Sequence, residues 1–144
     1  MKTVFLDASV LVAACASKTG ASAFILGYSQ QRKVKCFISP EVIGEAKKNI
    51  RLKLKESGEE RLEYYLKTAG LQLVGEPTLT DIVRCEGVII FKDAHVLAAA
   101  IKSEAGYLIT LDRKHFFTPE VISFSRPLKI ITPGEFVIKI LSKG

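Results

Sequence analysis

The chain has 144 residues, enough for one domain with a buried core, and its 48% hydrophobic and 25% charged residues exclude a disordered or fibrous protein. A formal net charge of +6 suits a polyanionic partner such as RNA, because Lys and Arg release counterions from phosphate chains. The three cysteines, Cys15, Cys36 and Cys85, contain no CxxC pair, which argues against a disulfide framework or a thiolate zinc site and for a reducing cytoplasm.

Thr3–Leu6 is a short run of strand formers that stops at Asp7, and Ser9 reads as the cap of a helix over Val10–Ala16. The charge of Asp7 opposes reading the apolar N-terminus as a secretion signal, and no later run reaches membrane-span length. After a break at Lys18-Thr19-Gly20, a second helix runs through Ala23 to Tyr28, followed by a strand at Val34–Ile38. Ser39-Pro40 opens a helix with Val42, Ile43, Ala46, Ile50 and Leu54 on one face, ended by Ser57-Gly58. A helix with Leu62, Tyr65 and Leu66 stops at Gly70 before a strand at Leu71–Val74. Glu76–Cys85 is loosely helical, and Val88–Phe91 reads as a strand or buried turn. Asp93 opens an Ala-rich helix over His95–Glu104, and Tyr107–Leu111 is a strand ending at Asp112. Leu128–Ile131 is the last strand, and Thr132-Pro133 starts a helix through Phe136, Val137, Ile140 and Leu141. Strands alternating with helices predict an α/β fold in one domain over residues 1–144, its mostly parallel sheet covered on both faces.

Four acids stand where this fold has chemistry to offer. Asp7 and Asp112 each follow a strand, and strand C-termini near the topological switch of a parallel sheet share one crevice. Asp93 lies at a helix N-terminus facing the same edge, and Glu45 lies in the second turn of the helix begun by Ser39-Pro40. Carboxylates gathered there repel unless a cation neutralises them, and oxygen ligands without Cys or clustered His select Mg2+ or Mn2+. Such ions activate water for in-line attack on a phosphodiester. Each acid alone also has an ordinary reading: Glu45 as a helix surface pair with Lys48 or Asn49, Asp93 as a plain cap, Asp7 and Asp112 as turn residues.

Taken in order, Val4-Phe5-Leu6-Asp7-Ala8-Ser9, Ser39-Pro40-Glu41-Val42-Ile43-Gly44-Glu45, Lys92-Asp93-Ala94-His95-Val96-Leu97-Ala98-Ala99-Ala100 and Leu108-Ile109-Thr110-Leu111-Asp112-Arg113-Lys114-His115-Phe116 resemble the PIN-domain family over most of the chain. The resemblance implies a metal-dependent ribonuclease whose four acids are Asp7, Glu45, Asp93 and Asp112, with support from the hydroxyls of Ser9 and Thr110. It also implies a homodimer and, since many relatives are VapC-type toxins, an antitoxin protein as partner. One departure stands out: where relatives often carry a further Asp or Asn after the fourth acid, this chain has Arg113-Lys114-His115. Substrate phosphate would then complete a second metal position, with Arg113 or Lys114 contacting it.

Lys47, Lys48, Arg51 and Lys55 form a basic arc beside Glu45, and Arg32-Lys33-Lys35 a second cluster, each equally readable as an RNA contact or a solvated face. His95 is expected to point away from the acids, and His115 to lie in a loop within reach of substrate. There is no Gly-rich phosphate loop, hence no nucleotide cofactor. The competing reading is a PIN-like module that binds RNA or protein without cutting. A receiver domain needs paired acids after the first strand, and an aspartate-nucleophile phosphatase needs Asp where Ser9 stands.

Overall fold

The computed structural model describes residues 1–143, with side chains described through Ile140. In chain order the elements are β1 (Lys2–Leu6), α1 (Ala8–Ala16), α2 (Ala21–Gln30), β2 (Val34–Ile38), α3 (Pro40–Lys53), α4 (Glu56–Thr68) and β3 (Gln72–Leu73). Then come α5 (Leu79–Glu86), α6 (Phe91–Ser103), β4 (Tyr107–Ile109), α7 (Arg113–Phe116), α8 (Pro119–Ser125), β5 (Lys129–Ile131) and α9 (Pro133–Lys143). The five strands form one sheet in the order β3-β2-β1-β4-β5, and every pairing is parallel. The α/β expectation holds.

Because β2 and β4 flank β1 on opposite sides, the strand order reverses between β1 and β4, and a crevice opens at their C-terminal ends. Val4, Phe5, Leu6, Leu108 and Ile109 are fully buried, as central parallel strands covered on both faces must be. Ala94, Ala98, Ala99 and Ala100 give α6 a small-residue face that is buried without bulky side chains. α6 packs against α3, which carries Glu45 toward the helix that carries Asp93.

Several boundaries differ from expectation for identifiable reasons. α1 begins at Ala8 with Asp7 in the cap position, so Ser9 lies inside the helix and its hydroxyl donates to Asp7 instead of capping an amide of α1. α3 ends at Lys53, and Ser57-Gly58 falls in the first turn of α4, where Gly58 is buried against Leu54. β3 and β4 are shorter than the runs Leu71–Val74 and Tyr107–Leu111, and β5 starts at Lys129. α5 is a regular helix with a reciprocal Thr78–Asp81 capping box. Val88–Phe91 is no strand: Ile89 is buried, while Ile90 caps and Phe91 begins α6, which puts Asp93 inside its first turn. α7 and α8 were not anticipated. In α9, Thr132 accepts from the Glu135 amide and donates to its carboxylate; the Leu141 side chain lies outside the described residues. Among the described residues, no single helix is long and apolar enough to cross a membrane.

Candidate active site

At the switch point the chain ties two turns together with hydroxyls. The Asp7 amide donates to the Ile109 carbonyl at 3.1 Å, continuing the β1–β4 ladder past its last pair. Both Ser9 Oγ and Thr110 Oγ1 donate to Asp7 Oδ2 at 2.8 Å. The same two hydroxyls accept from the next turn: Leu111 N–H reaches Ser9 Oγ and Asp112 N–H reaches Thr110 Oγ1, each at 3.1 Å. Asp7 and Thr110 are buried, so this network holds one carboxylate oxygen in place without help from water.

Asp112 is fixed from the other side. It is the cap of α7, with Oδ1 accepting from the His115 amide at 3.1 Å, and this folds the His115 ring back over it. His115 Nδ1 then lies 2.8 Å from Asp112 Oδ2 and 3.7 Å from Asp93 Oδ2. Asp93, only 6% exposed, keeps Oδ2 buried with no hydrogen-bond partner. A buried carboxylate oxygen left in that state is costly.

Asp7, Glu45, Asp93 and Asp112 line one cleft of about 310 Å³ with Ser9, Asn49, Lys53 and Lys92. Burial, then the charges of Asp7 and Asp93, raises the Glu45 pKa, although Glu45 sits on the exposed rim. Burial also raises that of Asp93; Lys92 opposes this, and Asp112 and Asp7 add to it. The acids are therefore near enough to penalise one another's ionisation. Burial pushes the thiols of Cys15, Cys36 and Cys85 up to about 11, and none of the three lines the acidic cleft. The orphaned oxygen, the mutual repulsion and the hard oxygen donors fit a divalent ion of the Mg2+ or Mn2+ kind.

The basic residues divide. Lys47 and Arg51 line a separate depression between α3 and α4, where Arg51 pairs with Glu59 at 3.4 Å. Lys48 is exposed on α3 outside the residues lining the acidic cleft. Arg113, its guanidinium 5.6 Å from the Phe117 ring, and Lys114 are exposed on α7. The cleft instead takes Asn49, Lys53 and Lys92, which the sequence reading did not single out as site residues. Asn49 and Lys53 are four and eight residues after Glu45, so the helical period alone puts them on its face. His95, expected to point away from the acids, is not among the residues lining the cleft. His115 is on a short helix, not a loop.

A family model described as "PIN domain" matches residues 3–114. Among solved structures, the chain is similar to PAE2754 from Pyrobaculum aerophilum, with 20% identity and a TM-score of 0.66 over 98% of this chain and 96% of that one. It is also similar to a chain of VapBC2 from Rickettsia felis, solved bound to a DNA fragment from their promoter. That match has 18% identity and a TM-score of 0.66 over 90% of this chain and 98% of the other. No curated protein sequence matches.

Proposed function

This chain belongs to the PIN-domain family, and we propose that it is an endoribonuclease that holds Mg2+ or Mn2+ with Asp7, Glu45, Asp93 and Asp112. The observation that carries the reading is Asp93 Oδ2, a buried carboxylate oxygen without a hydrogen-bond partner on a residue that lines one cleft with three further acids. A divalent ion bound there supplies an activated water and neutralises charge on the leaving oxygen. The protein's own groups do the rest. Ser9 and Thr110 occupy Asp7 Oδ2 and so fix the direction of its other oxygen. The His115 amide does the same for Asp112 through Oδ1. Lys53 and Lys92 draw the phosphodiester into the cleft and offset its charge beside the acids, and Asn49 offers an amide to the backbone. Arg113 and Lys114, exposed just beyond Asp112, meet neighbouring phosphates, and Lys47, Lys48 and Arg51 act as an outlying contact for a longer RNA.

The fold shared with VapBC2 supports a toxin of a toxin–antitoxin pair, acting in the cytoplasm with an antitoxin as protein partner. Leu79 and Phe91, each 77% exposed, supply apolar surface for a homodimer.

RNA incubated with the protein in Mg2+ or Mn2+ should be cut internally, and EDTA or Asp7→Asn should stop it. Cutting that persists in EDTA or in the Asn variant would overturn the metal mechanism. Wild type that binds RNA but never cuts would identify a non-catalytic module instead.

A further inference from the structure

We propose that His115 is a fifth ligand, and that its nitrogen tilts the site from Mg2+ toward first-row transition ions. The inference rests on the metal reading above. The cap on α7 sets it up: the His115 backbone N–H donates to Asp112 Oδ1, and the imidazole lies over the same carboxylate with Nδ1 facing Oδ2. One ligand atom from each of Asp93, Asp112 and His115 lies within 4.8 Å of the other two. On an octahedral ion with bonds of about 2.1 Å, adjacent ligands would stand about 3 Å apart and opposite ones about 4.2 Å. Nδ1 to Asp112 Oδ2 is 2.8 Å, close to an adjacent pair, and Nδ1 to Asp93 Oδ2 is 3.7 Å, between the two. Asp93 Oδ2 points to a ligand independently, since it is over nine-tenths buried and without a hydrogen-bond partner beside that ring.

A nitrogen in the shell matters for ion choice. Mg2+ takes oxygen ligands and gives up water reluctantly, whereas imidazole is a good ligand for first-row transition ions. The ligating form is the neutral ring with its proton on Nε2.

Mn2+ alone is the probe, and no RNA is needed. Pulsed electron paramagnetic resonance of the Mn2+-loaded full chain should show a directly bound nitrogen. That coupling should vanish in His115→Gln and persist in His95→Gln. Mn2+ affinity should fall tenfold or more in His115→Gln, while Mg2+, measured by competition, changes less than about twofold. His115→Asp, which restores a ligand but with oxygen, should recover Mn2+ binding and raise Mg2+ affinity. Bound Mn2+ without nitrogen coupling in wild type, no Mn2+ binding at all, or equal losses for both ions in His115→Gln would overturn the proposal. The cleavage assay is judged separately: RNA cut by a nitrogen-free metal site sinks only the fifth ligand, and a nitrogen-ligated ion in a protein that cuts nothing sinks only the nuclease.

Discussion

Helix α3 serves two clefts of nearly equal size, about 310 Å³ on the Glu45 flank and about 300 Å³ on the Lys47 flank, and both are rich in carboxylates. In the second, Glu56, Glu60 and Glu63 are exposed and Glu59 pairs with Arg51. Acids open to solvent carry little desolvation cost, and an exposed pair of that kind contributes only about 0.2–1 kcal/mol. On the first flank, Asp7 and Asp93 are buried, the acids oppose each other's ionisation, and one oxygen lacks a hydrogen-bond partner. The difference does not come from the number of acids. It comes from where the fold anchors them: strand ends and a helix start on one side, a solvated helix surface on the other.

The strongest way to break that comparison is to neutralise one acid in each cleft and measure RNA cleavage. Asp112→Asn should lose on the order of 1,000-fold in rate, equivalent to about 4 kcal/mol of transition-state stabilisation. Glu63→Gln should stay within about twofold. Similar losses in both variants would mean the wrong cleft has been chosen.

Metal-linked stability gives the next effect and needs no substrate. An ion that binds only the folded state adds about 2.7 kcal/mol when its free concentration is 100-fold above Kd. Thermal melts at matched ionic strength should show that gain for wild type and Glu60→Gln, and most of it gone in Asp93→Asn. A wild-type melting point indifferent to Mn2+ and Mg2+, with a destabilised Asn variant, would leave Asp93 as a plain helix-start acid.

How much of this was readable beforehand depends on what kind of signal each residue leaves. Asp7 and Asp112 were legible because an acid straight after an apolar strand breaks a strong pattern, and the strand order then brings them together. Ser9 and Thr110 were legible as supports only by resemblance; their shared grip on Asp7 Oδ2 is tertiary. Helical phase sets the basic arc apart from the acidic cleft, since Lys47 and Arg51 turn toward α4 while Asn49 and Lys53 share the Glu45 flank. Val88–Phe91 stayed open between a strand and a buried turn because four apolar residues in a row carry no period; Val88 and Ile89 form the turn, and Phe91 opens the next helix. α5 was legible only as a loose helix because Leu79 and Val83 are apolar yet exposed, which blurs the usual reading of which face is buried.

The two lysine sets sharpen the comparison further. Lys53→Gln and Lys92→Gln should each weaken RNA binding and reduce the salt slope of log K by roughly 1, as expected for loss of one phosphate contact. Lys47→Gln and Arg51→Gln should each have less effect on both. Fluorescence anisotropy of a labelled RNA over a series of salt concentrations, with Asp112→Asn as background to prevent cutting, reads this directly. The reverse order would move the RNA path to the α3–α4 depression.

The smallest effect is a pH dependence confined to the metal-free fold. Glu45 and Asp93 have raised pKa values, from burial first and then from neighbouring carboxylates, with Lys92, His95 and His115 offsetting part of the repulsion. A carboxyl whose pKa is higher folded than unfolded holds its proton more tightly in the folded state. The resulting stability is fully present below the unfolded value and is lost as pH rises through the folded one. In EDTA, the urea midpoint of wild type should therefore fall as pH climbs through the window just above the ordinary carboxylate range. Asp93→Asn has no proton to lose there, and it removes one source of repulsion on Glu45, so its curve should be flatter. Saturating Mn2+ should reverse the slope, because an ion that needs ionised ligands binds better as they deprotonate. Glu60→Gln should track wild type in both conditions, since its cleft holds no mutually repelling buried acids. Parallel curves for wild type and Asp93→Asn in EDTA would show that the acids of the first cleft ionise independently, and the contrast between the two flanks of α3 would lose its electrostatic basis.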